Sequence, residues 1–296
     1  METLEGKIAV VTGAASGIGF GMAEAFANRG MCIVISDVEE TALQESADRL
    51  RQDGHDVTPC LTDVRNIDAV QELLDTAVQT YGKAHVLCNN AGVSGSITAT
   101  GPAPVAIWEA NQQDWDWVMG VNLQGVINGL RVFLPHMLSH EEESHVVNTS
   151  SIMGLTTGVG STYGVSKHAV ARLTEGLFHD LRAREANIGT TLLCPGLIAT
   201  NIITSARNLP DEYKTEGDIH PDRVARLQQM DNYFKTHGMP PRKVGELVAD
   251  AMLNRQFYLL THPENMEGVE RRFQDILNLR DPTPPPVWNM QNDDNG

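Results

Sequence analysis

A glycine-rich turn between two patterned segments constrains the fold of this chain more than any other feature. The turn occupies residues 12–19 and reads Thr-Gly-Ala-Ala-Ser-Gly-Ile-Gly. It follows a β-branched run at 7–11, which is typical of a strand, and precedes apolar residues at helical spacing over 20–29. Gly30 then suits a helix C-cap. A strand, a glycine turn and a helix in this order predict the first unit of a doubly wound α/β sheet.

The same turn predicts a binding site for a dinucleotide. Glycine lets the backbone approach a pyrophosphate closely, and the N-terminus of the following helix offers amide hydrogens and a positive dipole end. A second predicted strand at 31–36 ends at Asp37, close to the offset of an acid that binds the adenine ribose hydroxyls. The candidate contacts in the turn are Gly13, Ser16, Gly17, Ile18 and Gly19.

The charges around Asp37 favour NAD over NADP. Residues 37–40 read Asp-Val-Glu-Glu, and neither this stretch nor the glycine turn contains an arginine or lysine that could bind a 2′-phosphate. Alternatively, Asp37 caps the predicted helix at 40–51. The two roles are compatible, but capping alone would leave the choice of cofactor open.

A tyrosine and a lysine supply the candidate chemistry. Tyr163 and Lys167 are about one helical turn apart, so the phenol and the ammonium share one face of a helix. A nearby positive charge favours the phenolate, and a tyrosine with a lowered pKa can exchange a proton with an alcohol or a ketone. Asn122 and the adjacent Ser150 and Ser151 lie between the glycine turn and this tyrosine.

In this order, the motifs resemble the compact, single-domain branch of the short-chain dehydrogenase/reductase family over residues 5–200. The resemblance rests on motifs spread along that range. They are the turn at 12–19, Asp63 with Val64, the Asn-Asn-Ala-Gly run at 89–92, Asn122, Ser151, Tyr163, Lys167, and Pro195-Gly196 followed by Thr200.

The resemblance implies a role for each polar residue of the site. Tyr163 would be the general acid/base, and Lys167 would lower the pKa of this tyrosine while holding the nicotinamide ribose. Ser151 would donate a hydrogen bond to the reacting carbonyl, and Asn122 would hold a water that relays protons. The remaining implied cofactor contacts are Asp63 and Val64 around the adenine, Asn90, Ala91 and Gly92 at the floor, Pro195 and Gly196, and Ile198 with Thr200 at the carboxamide.

Two features of this region leave alternatives open. The family usually places its serine thirteen residues before the tyrosine, which fits Ser150, whereas the Ile-Met-Gly phrase at 152–154 favours Ser151 with a one-residue deletion in the following loop. The other serine would then bond to backbone at the end of a strand.

His168 and His179 lack an apparent triad partner, so we expect surface or interface positions for them.

Composition narrows the class of function. The net charge of −16 argues against nucleic acid and anionic membrane surfaces. Apolar runs are too short to cross a bilayer and the N-terminal residues lack signal-peptide features, so we expect a cytoplasmic protein. The four cysteines lie in or beside predicted strands, and no close pair resembles a metal site. We therefore expect reduced core cysteines and no metal.

Alternating strand-like and helix-like segments predict a Rossmann-type, doubly wound parallel sheet with helices on both faces. Residues 1–280 would form one catalytic domain, and 281–296 an extended or mobile tail. In the family, the helices predicted at 113–140 and 162–186 form a dimer core, which implies a homodimer or homotetramer. Trp115 and Trp117 are expected to be packing anchors.

Departures from the family pattern bear on the substrate. An enlarged segment at 95–104, with Trp108 nearby, and a longer one at 199–238 should lie outside the carboxyl ends of the strands. We interpret the longer segment as a lid over a roomy apolar pocket. The alternative is that both are surface loops or oligomer contacts. A further strand at 257–261 and an amphipathic helix at 267–279 follow.

The C-terminal arrangement and the segment at 115–129 are similar to bacterial dehydrogenases that oxidise benzylic alcohols in lignin-derived aryl ethers. Together these features predict an NAD-dependent alcohol dehydrogenase or ketone reductase for a bulky, apolar secondary alcohol and its ketone. The alternatives are a non-catalytic NAD-sensing protein and an NADP-dependent ketone reductase. Glycine spacing and compact length disfavour an epimerase or dehydratase.

Overall fold

Seven parallel strands form a single sheet in the computed structural model, which describes residues 1–95, 106–158, 160–214 and 221–284. Their order across the sheet is β3-β2-β1-β4-β5-β6-β7. The strands are β1 (Ile8–Thr12), β2 (Cys32–Asp37), β3 (Val57–Leu61), β4 (Val86–Asn89), β5 (Ser144–Thr149), β6 (Ile188–Cys194) and β7 (Tyr258–Leu260).

Helices connect consecutive strands, as parallel pairing requires. Within the described residues the α-helices are α1 (Gly17–Ala27), α2 (Glu40–Gln52), α3 (Ile67–Tyr81), α4 (Gln112–Met119), α5 (Gly125–Ser139), α6 (Thr162–Ala183), α7 (Pro221–His237), α8 (Pro241–Leu253) and α9 (Met266–Leu277). A π-helix, Gly120–Gln124, joins α4 to α5, and the 3₁₀ segments are Ile152–Gly154, Ile202–Asn208, Asp211–Tyr213 and Pro263–Asn265.

Alternate residues of the central strand enter two separate cores. Ala9 and Val11 of β1 belong to the core that contains Phe26 of α1. Val10 belongs to the opposite core, which contains Phe133 of α5 and residues of α3 and α6. All five residues of β1 are buried because helices cover both faces, as is usual for parallel sheets. The predicted doubly wound sheet is therefore confirmed.

Element boundaries differ from the predicted ones by a few residues, except in one place. The helix predicted at 113–140 is interrupted by the π-helical turn, which holds one more residue per turn than an α-helix and has no simple periodic signature. Trp117 is fully buried, as predicted for an anchor, whereas Trp115 is half-buried. Cys88 and Cys194 are buried, but Cys32 and Cys60 are only partly so, because they lie in β2 and β3 towards one side of the sheet.

The segment at 199–238 between β6 and α8, here called the excursion, leaves and rejoins the sheet edge at one place. The amide of Ala199 donates to the Met239 carbonyl (3.0 Å), and the amide of Met239 donates to the Leu197 carbonyl (2.9 Å). Between these ends the chain forms two 3₁₀ segments and α7. Residues 215–220 of this predicted lid, residues 96–104 of the enlarged segment and residues 285–296 of the predicted tail lie outside the described residues.

Two glycines allow α1 and α8 to touch through their backbones. A Cβ on Gly21 would overlap the Pro241 carbonyl oxygen, and one on Gly245 would overlap the Gly21 carbonyl oxygen. This contact holds the helix that follows the glycine turn against the helix that follows the excursion.

We expect Gly21→Ala to lower the free energy of unfolding by about 2 kcal/mol. Helix propensity alone would raise it by about 1 kcal/mol, so the sign of the effect tests the contact. Urea unfolding followed by circular dichroism measures the difference. Gly158→Ala is the control, because a Cβ there meets nothing within 4 Å. Stabilisation by Gly21→Ala would show that the helices are not in backbone contact.

Candidate active site

The glycine turn packs against two neighbouring loops at the carboxyl edge of the sheet. Gly13 has a φ of +64°, and a Cβ there would lie 2.7 Å from the Cα of Ala91. Gly17 has a φ of +57°, and its Cβ would lie 3.2 Å from the methyl group of Thr200. A Cβ on Gly19 would overlap the Gly13 carbonyl oxygen. The turn therefore requires glycine for both backbone conformation and space.

The first turn of α1 is suited to an anion. Ser16 precedes the helix in an extended conformation and makes no side-chain capping bond, while Gly17 and Ile18 begin the helix. The amide hydrogens of a helix N-terminus and its dipole together attract phosphate. With the glycine cradle, this geometry fits the pyrophosphate of a dinucleotide.

Hydrogen bonds from Asn90 and Thr12 fix the turn. The Asn90 amide group donates to the carbonyls of Thr12 (3.0 Å) and Gly13 (3.2 Å). The Thr12 hydroxyl accepts from the backbone amides of Asn90 (3.0 Å) and Ala91 (3.1 Å) and donates to the Cys88 carbonyl. Asn90, which was predicted to line the floor of the cofactor site, thus also holds the glycine turn in place. Thr12 was not among the predicted site residues, although it is the first residue of the glycine motif.

Asp37 lies at the carboxyl end of β2, beside the turn. Its carboxylate accepts hydrogen bonds from the amides of Ala15 (3.0 Å), Val38 (2.7 Å) and Glu39 (3.2 Å). Burial raises the pKa of Asp37, and these three bonds partly offset the rise. Helix α2 begins at Glu40 with Glu39 as its N-cap, so Asp37 orders the turn before the helix and does not bond within the first helical turn.

An arginine from a distant segment lies at this strand end. The Arg207 guanidinium makes two bonds to the Glu39 carboxylate (2.6 and 3.2 Å), and the side-chain amide of Asn208 adds a third (2.8 Å). No cation was predicted near Asp37, because Arg207 follows β6, which lies four strands away from β2 in the sheet. No local pattern in the sequence signals this contact.

Asp63 and Val64 follow β3 on the same edge. The Asp63 carboxylate forms a 2.7 Å ion pair with Arg65, which also reaches Glu212 at 3.3 Å. Val64 is buried, and its carbonyl accepts a bond from the side chain of Asn128 (2.9 Å). These contacts hold both residues at the carboxyl end of β3.

Asn122 lies in the π-helix and connects the loop after β4 to helix α6. Its side-chain oxygen accepts from the amide of Val93 (2.8 Å), and its side-chain nitrogen donates to the Val93 carbonyl (2.9 Å) and the Ser166 hydroxyl (3.0 Å). Gly92 lies beside it: a Cβ there would be 3.4 Å from the Asn122 oxygen and 3.3 Å from Lys167 Nζ. A π-helical turn re-aims side chains and is frequent at functional sites.

The two adjacent serines have different surroundings. The Ser150 hydroxyl donates to the Lys167 carbonyl at 2.6 Å and is fully buried. The Ser151 hydroxyl accepts from the Met153 amide (3.2 Å), and its side chain lies near the Tyr163 phenol, where it offsets part of the rise in the pKa of Tyr163 that burial causes. Ser151, and not Ser150, is thus the serine that faces the tyrosine.

Tyr163 and Lys167 lie one turn apart in the first half of α6, as predicted. The Lys167 ammonium lies 5.7 Å from the centre of the Tyr163 ring and donates to the Thr149 carbonyl at 2.9 Å. Lys167 is buried, and a hydrogen-bonded buried ammonium on an α/β sheet edge is a costly arrangement that usually serves a function. Ser161 caps the helix through the Gly164 amide (2.9 Å).

The sequence of this chain matches that of a known family. Residues 7–210 match the family model described as short chain dehydrogenase. This chain belongs to that family. It is similar to a short chain dehydrogenase/reductase from Burkholderia phymatum in complex with NAD, with 40% identity, a TM-score of 0.90 and coverage of 97% of this chain and 100% of the other.

Two characterised relatives extend over nearly the whole chain. The CLA biosynthesis dehydrogenase/reductase of Lactiplantibacillus plantarum is 30% identical over 94% of this chain and 95% of its own length. The C alpha-dehydrogenase of Sphingobium sp. strain SYK-6 is 30% identical over 94% of this chain and 87% of its own length. The predicted resemblance to the family is confirmed, and so is a moderate similarity to a bacterial dehydrogenase, the C alpha-dehydrogenase. The chain is an oxidoreductase.

The remaining family positions surround the end of β6. The Pro195 carbonyl accepts from the Ile152 amide (2.9 Å), and the Gly196 amide donates to the Thr261 hydroxyl (3.0 Å). Ile198 pairs with Met239, and Thr200 touches Gly17 as described above. These contacts bring the post-β6 loop, the glycine turn and the serine loop to one edge of the sheet.

The electrostatics of the family's tyrosine and lysine differ from the prediction in one respect. Burial raises the pKa of Tyr163, with Ser151 offsetting part of the rise, so the predicted lowering by Lys167 is not present in the protein alone. Burial also lowers the pKa of Lys167 to about 8. Each change has the same cause, because a buried charge loses the solvation of water.

Other candidate groups lie apart from this site. His168 and His179 are exposed, as predicted, and His168 contacts Arg272 (3.2 Å). Among the described residues, we find no group of His, Cys, Asp or Glu side chains spaced to hold a metal ion. The helices in that part of the chain include none with the length and apolar character of a membrane span.

Lys167→Met should change the pH dependence of stability in a defined direction. Because the pKa of Lys167 is about 8 against an ordinary value of 10.5, the unfolded chain binds more protons than the folded chain between these values. Stability of the wild type should therefore rise across this range by up to about 3 kcal/mol relative to the variant.

Urea unfolding at about pH 7.5 and about pH 10 measures the difference. The exposed Lys243→Met controls for the loss of one positive charge. If the free energy of unfolding changes with pH by the same amount in Lys167→Met and in the wild type, the ammonium of Lys167 is not buried as described.

Proposed function

We propose that this chain interconverts a bulky, apolar secondary alcohol and its ketone with NAD(H). The observation that carries the proposal is the juxtaposition of Ser151, Tyr163 and the buried Lys167 at the sheet edge that also holds the glycine cradle. One edge thus combines a phosphate-binding turn with an acid/base group and a hydrogen-bond donor.

Tyr163 takes the proton of the substrate hydroxyl in oxidation and returns it in reduction. Ser151 donates a hydrogen bond to the substrate oxygen and stabilises negative charge there. Lys167 lies close enough to stabilise the phenolate when its ammonium is charged, and Asn122 orients the loop below it through Val93. Bound NAD supplies the hydride acceptor.

The residues present fit that cofactor. The turn from Gly13 to Gly19 would hold the pyrophosphate, and Asp37 the adenine ribose hydroxyls. Asp63 and Val64 would bracket the adenine. Lys167 would hold the nicotinamide ribose, and Ile198 with Thr200 the carboxamide, above Asn90, Ala91 and Gly92. The NAD complex of the Burkholderia phymatum relative supports this assignment.

The excursion at 199–238 serves as the lid of the proposed pocket. Its early part crosses from β6 to the ends of β2 and β3, where Arg207 meets Glu39 and Glu212 meets Arg65. Leu209 and Tyr213 pack with Val93, Trp117 and Val118. The Ser205 hydroxyl accepts from the Ser94 amide (3.0 Å) and bonds to the Ser94 hydroxyl. These contacts support a lid more than a free surface loop.

Two apolar side chains beside the tyrosine support a bulky, apolar substrate. Met153 and Val165 are each more than 40% exposed, although both are apolar. Met153 approaches Gly164, the residue after Tyr163. A contiguous exposed apolar patch marks a ligand-binding groove or a partner surface. The name of the C alpha-dehydrogenase relative indicates dehydrogenation at one carbon atom, which fits an alcohol substrate.

We further propose one catalytic domain over 1–280, followed by a tail at 281–296, in a cytoplasmic homodimer or homotetramer. Free thiols at all four cysteines support a reducing compartment. An apolar groove of about 670 Å³ between α5 and α6 supports the oligomer, because it offers a partner the outer faces of both helices. Its lining includes Leu123, Ile127, Leu130, Leu173 and Leu177.

Tyr163→Phe should reduce alcohol oxidation at least about 100-fold, because the variant cannot accept the proton. NADH formation over a panel of aryl, terpenoid and steroid secondary alcohols measures turnover, with NAD and NADP in parallel. NADH binding, followed by its fluorescence, should persist. Retained turnover would refute the role of Tyr163. Binding of NAD by the wild type with no turnover on any alcohol would favour a sensing protein.

Alcohol oxidation should accelerate as pH rises from about 7 to about 10. The phenolate is the base, and burial raises the pKa of Tyr163, so the reactive form accumulates only towards alkaline pH. Ketone reduction uses the protonated phenol and should not accelerate over the same range. Initial rates in both directions test this. An oxidation rate that is already maximal at about pH 7 would show that the pKa is lowered in the complex.

Ser151→Ala and Ser150→Ala should separate the two serines. Ser151→Ala should lower kcat/KM about 100-fold or more, because it removes a donor to the substrate oxygen. Ser150→Ala should lower the free energy of unfolding by about 1 kcal/mol, because it removes the buried hydrogen bond from the Ser150 hydroxyl to the Lys167 carbonyl. Steady-state kinetics and urea unfolding of both variants are the measurements. The reverse pattern would assign the role to Ser150.

A further inference from the structure

The guanidinium group of Arg207 lies at the end of β2, which is where dinucleotide-binding folds distinguish NAD from NADP. In such folds an acid at the end of the second strand binds the ribose 2′-hydroxyl, or an arginine nearby binds the 2′-phosphate. Here Asp37 is the acid, and the Glu39 amide donates to its carboxylate at 3.2 Å. Arg207 then pairs with the Glu39 side chain.

The orientation of Arg207 does not depend on Glu39 alone. Its Nη1 donates to the carbonyls of Asn201 (3.2 Å) and Thr204 (3.1 Å), both in its own segment. These bonds direct the opposite edge, formed by Nε and Nη2, towards Glu39. That edge is the one that binds a carboxylate or a phosphate with two parallel hydrogen bonds.

Glu39 occupies this edge fully. It accepts from Nε at 3.2 Å and from Nη2 at 2.6 Å, and Asn208 donates to it at 2.8 Å. Burial raises the pKa of Glu39, but the hydrogen bonds from Arg207 and Asn208 and the charge of Arg207 outweigh it, so the pKa is lowered and the carboxylate is charged at neutral pH. Asp37, Glu39 and Arg207 together carry one net negative charge.

We propose that Arg207 is a latent 2′-phosphate-binding residue masked by Glu39, and that Glu39 acts with Asp37 to set a preference for NAD. The proposal rests on the proposed NAD function. A 2′-phosphate would meet two carboxylates and a cation whose donors are already taken. Neutralising Glu39 removes one repulsive charge and leaves the Nε and Nη2 edge available, while Asn201 and Thr204 keep it in place.

The test compares binding of NADPH and NADH, measured by their fluorescence, in four variants. These are Glu39→Gln, Arg207→Gln, the double variant and Glu40→Gln. The last removes one exposed acid from the same turn without contacting Arg207 in the structure. Thermal unfolding monitored by circular dichroism confirms that each variant is folded.

We expect Glu39→Gln to improve NADPH binding relative to NADH by about tenfold. Adding Arg207→Gln should remove this gain, and Glu40→Gln should give less than a third of it. The gain should shrink as salt is raised, because the contact is partly exposed.

Three results would overturn the inference. Glu39→Gln could weaken the binding of NADPH and of NADH by the same factor, in which case the ion pair only holds the lid closed. The gain could persist without Arg207, or Glu40→Gln could match it, in which case general charge is the cause. If the wild type binds neither coenzyme, the proposed function fails as well, which the first measurement reveals before any variant is compared.

Discussion

The close approach of the β1 and β4 loops is the constraint on which the rest of the site depends. Gly13 permits the contact with Ala91, and the side chains of Thr12 and Asn90 fix it with hydrogen bonds across the gap. The chain then runs directly to Val93, which Asn122 holds from the π-helix. A continuous set of hydrogen bonds thus joins the phosphate-binding turn to the helix that carries the tyrosine.

Local chemistry explains what the sequence could predict. The glycine turn, the spacing of Tyr163 and Lys167, and the alternation of strands and helices each depend on residues close together in the chain. They specify the doubly wound sheet and nearly all of the site. The position of Ser151 also follows from a local phrase, although counting residues back from the tyrosine favours Ser150.

Long-range contacts explain what the sequence could not predict. Arg207 reaches Glu39 only because the excursion after β6 crosses the sheet edge, and nothing near either residue encodes that path. The π-helical turn at Asn122 and the raised pKa of Tyr163 have the same origin. Each depends on what packs around the residue in the folded chain, which neither periodicity nor spacing describes.

The paired ends of the 199–238 excursion separate two kinds of change that the protein can undergo. Because Ala199 and Met239 are hydrogen-bonded neighbours, the chain leaves and rejoins the sheet edge at one place, whatever the length of the segment between these two residues. Thr200 and Arg207 contact Gly17 and Glu39, so changes that spare these two residues can alter the excursion and keep its contacts with the glycine turn and the end of β2. Under the proposed function, related chains can therefore differ in substrate while they keep the same coenzyme.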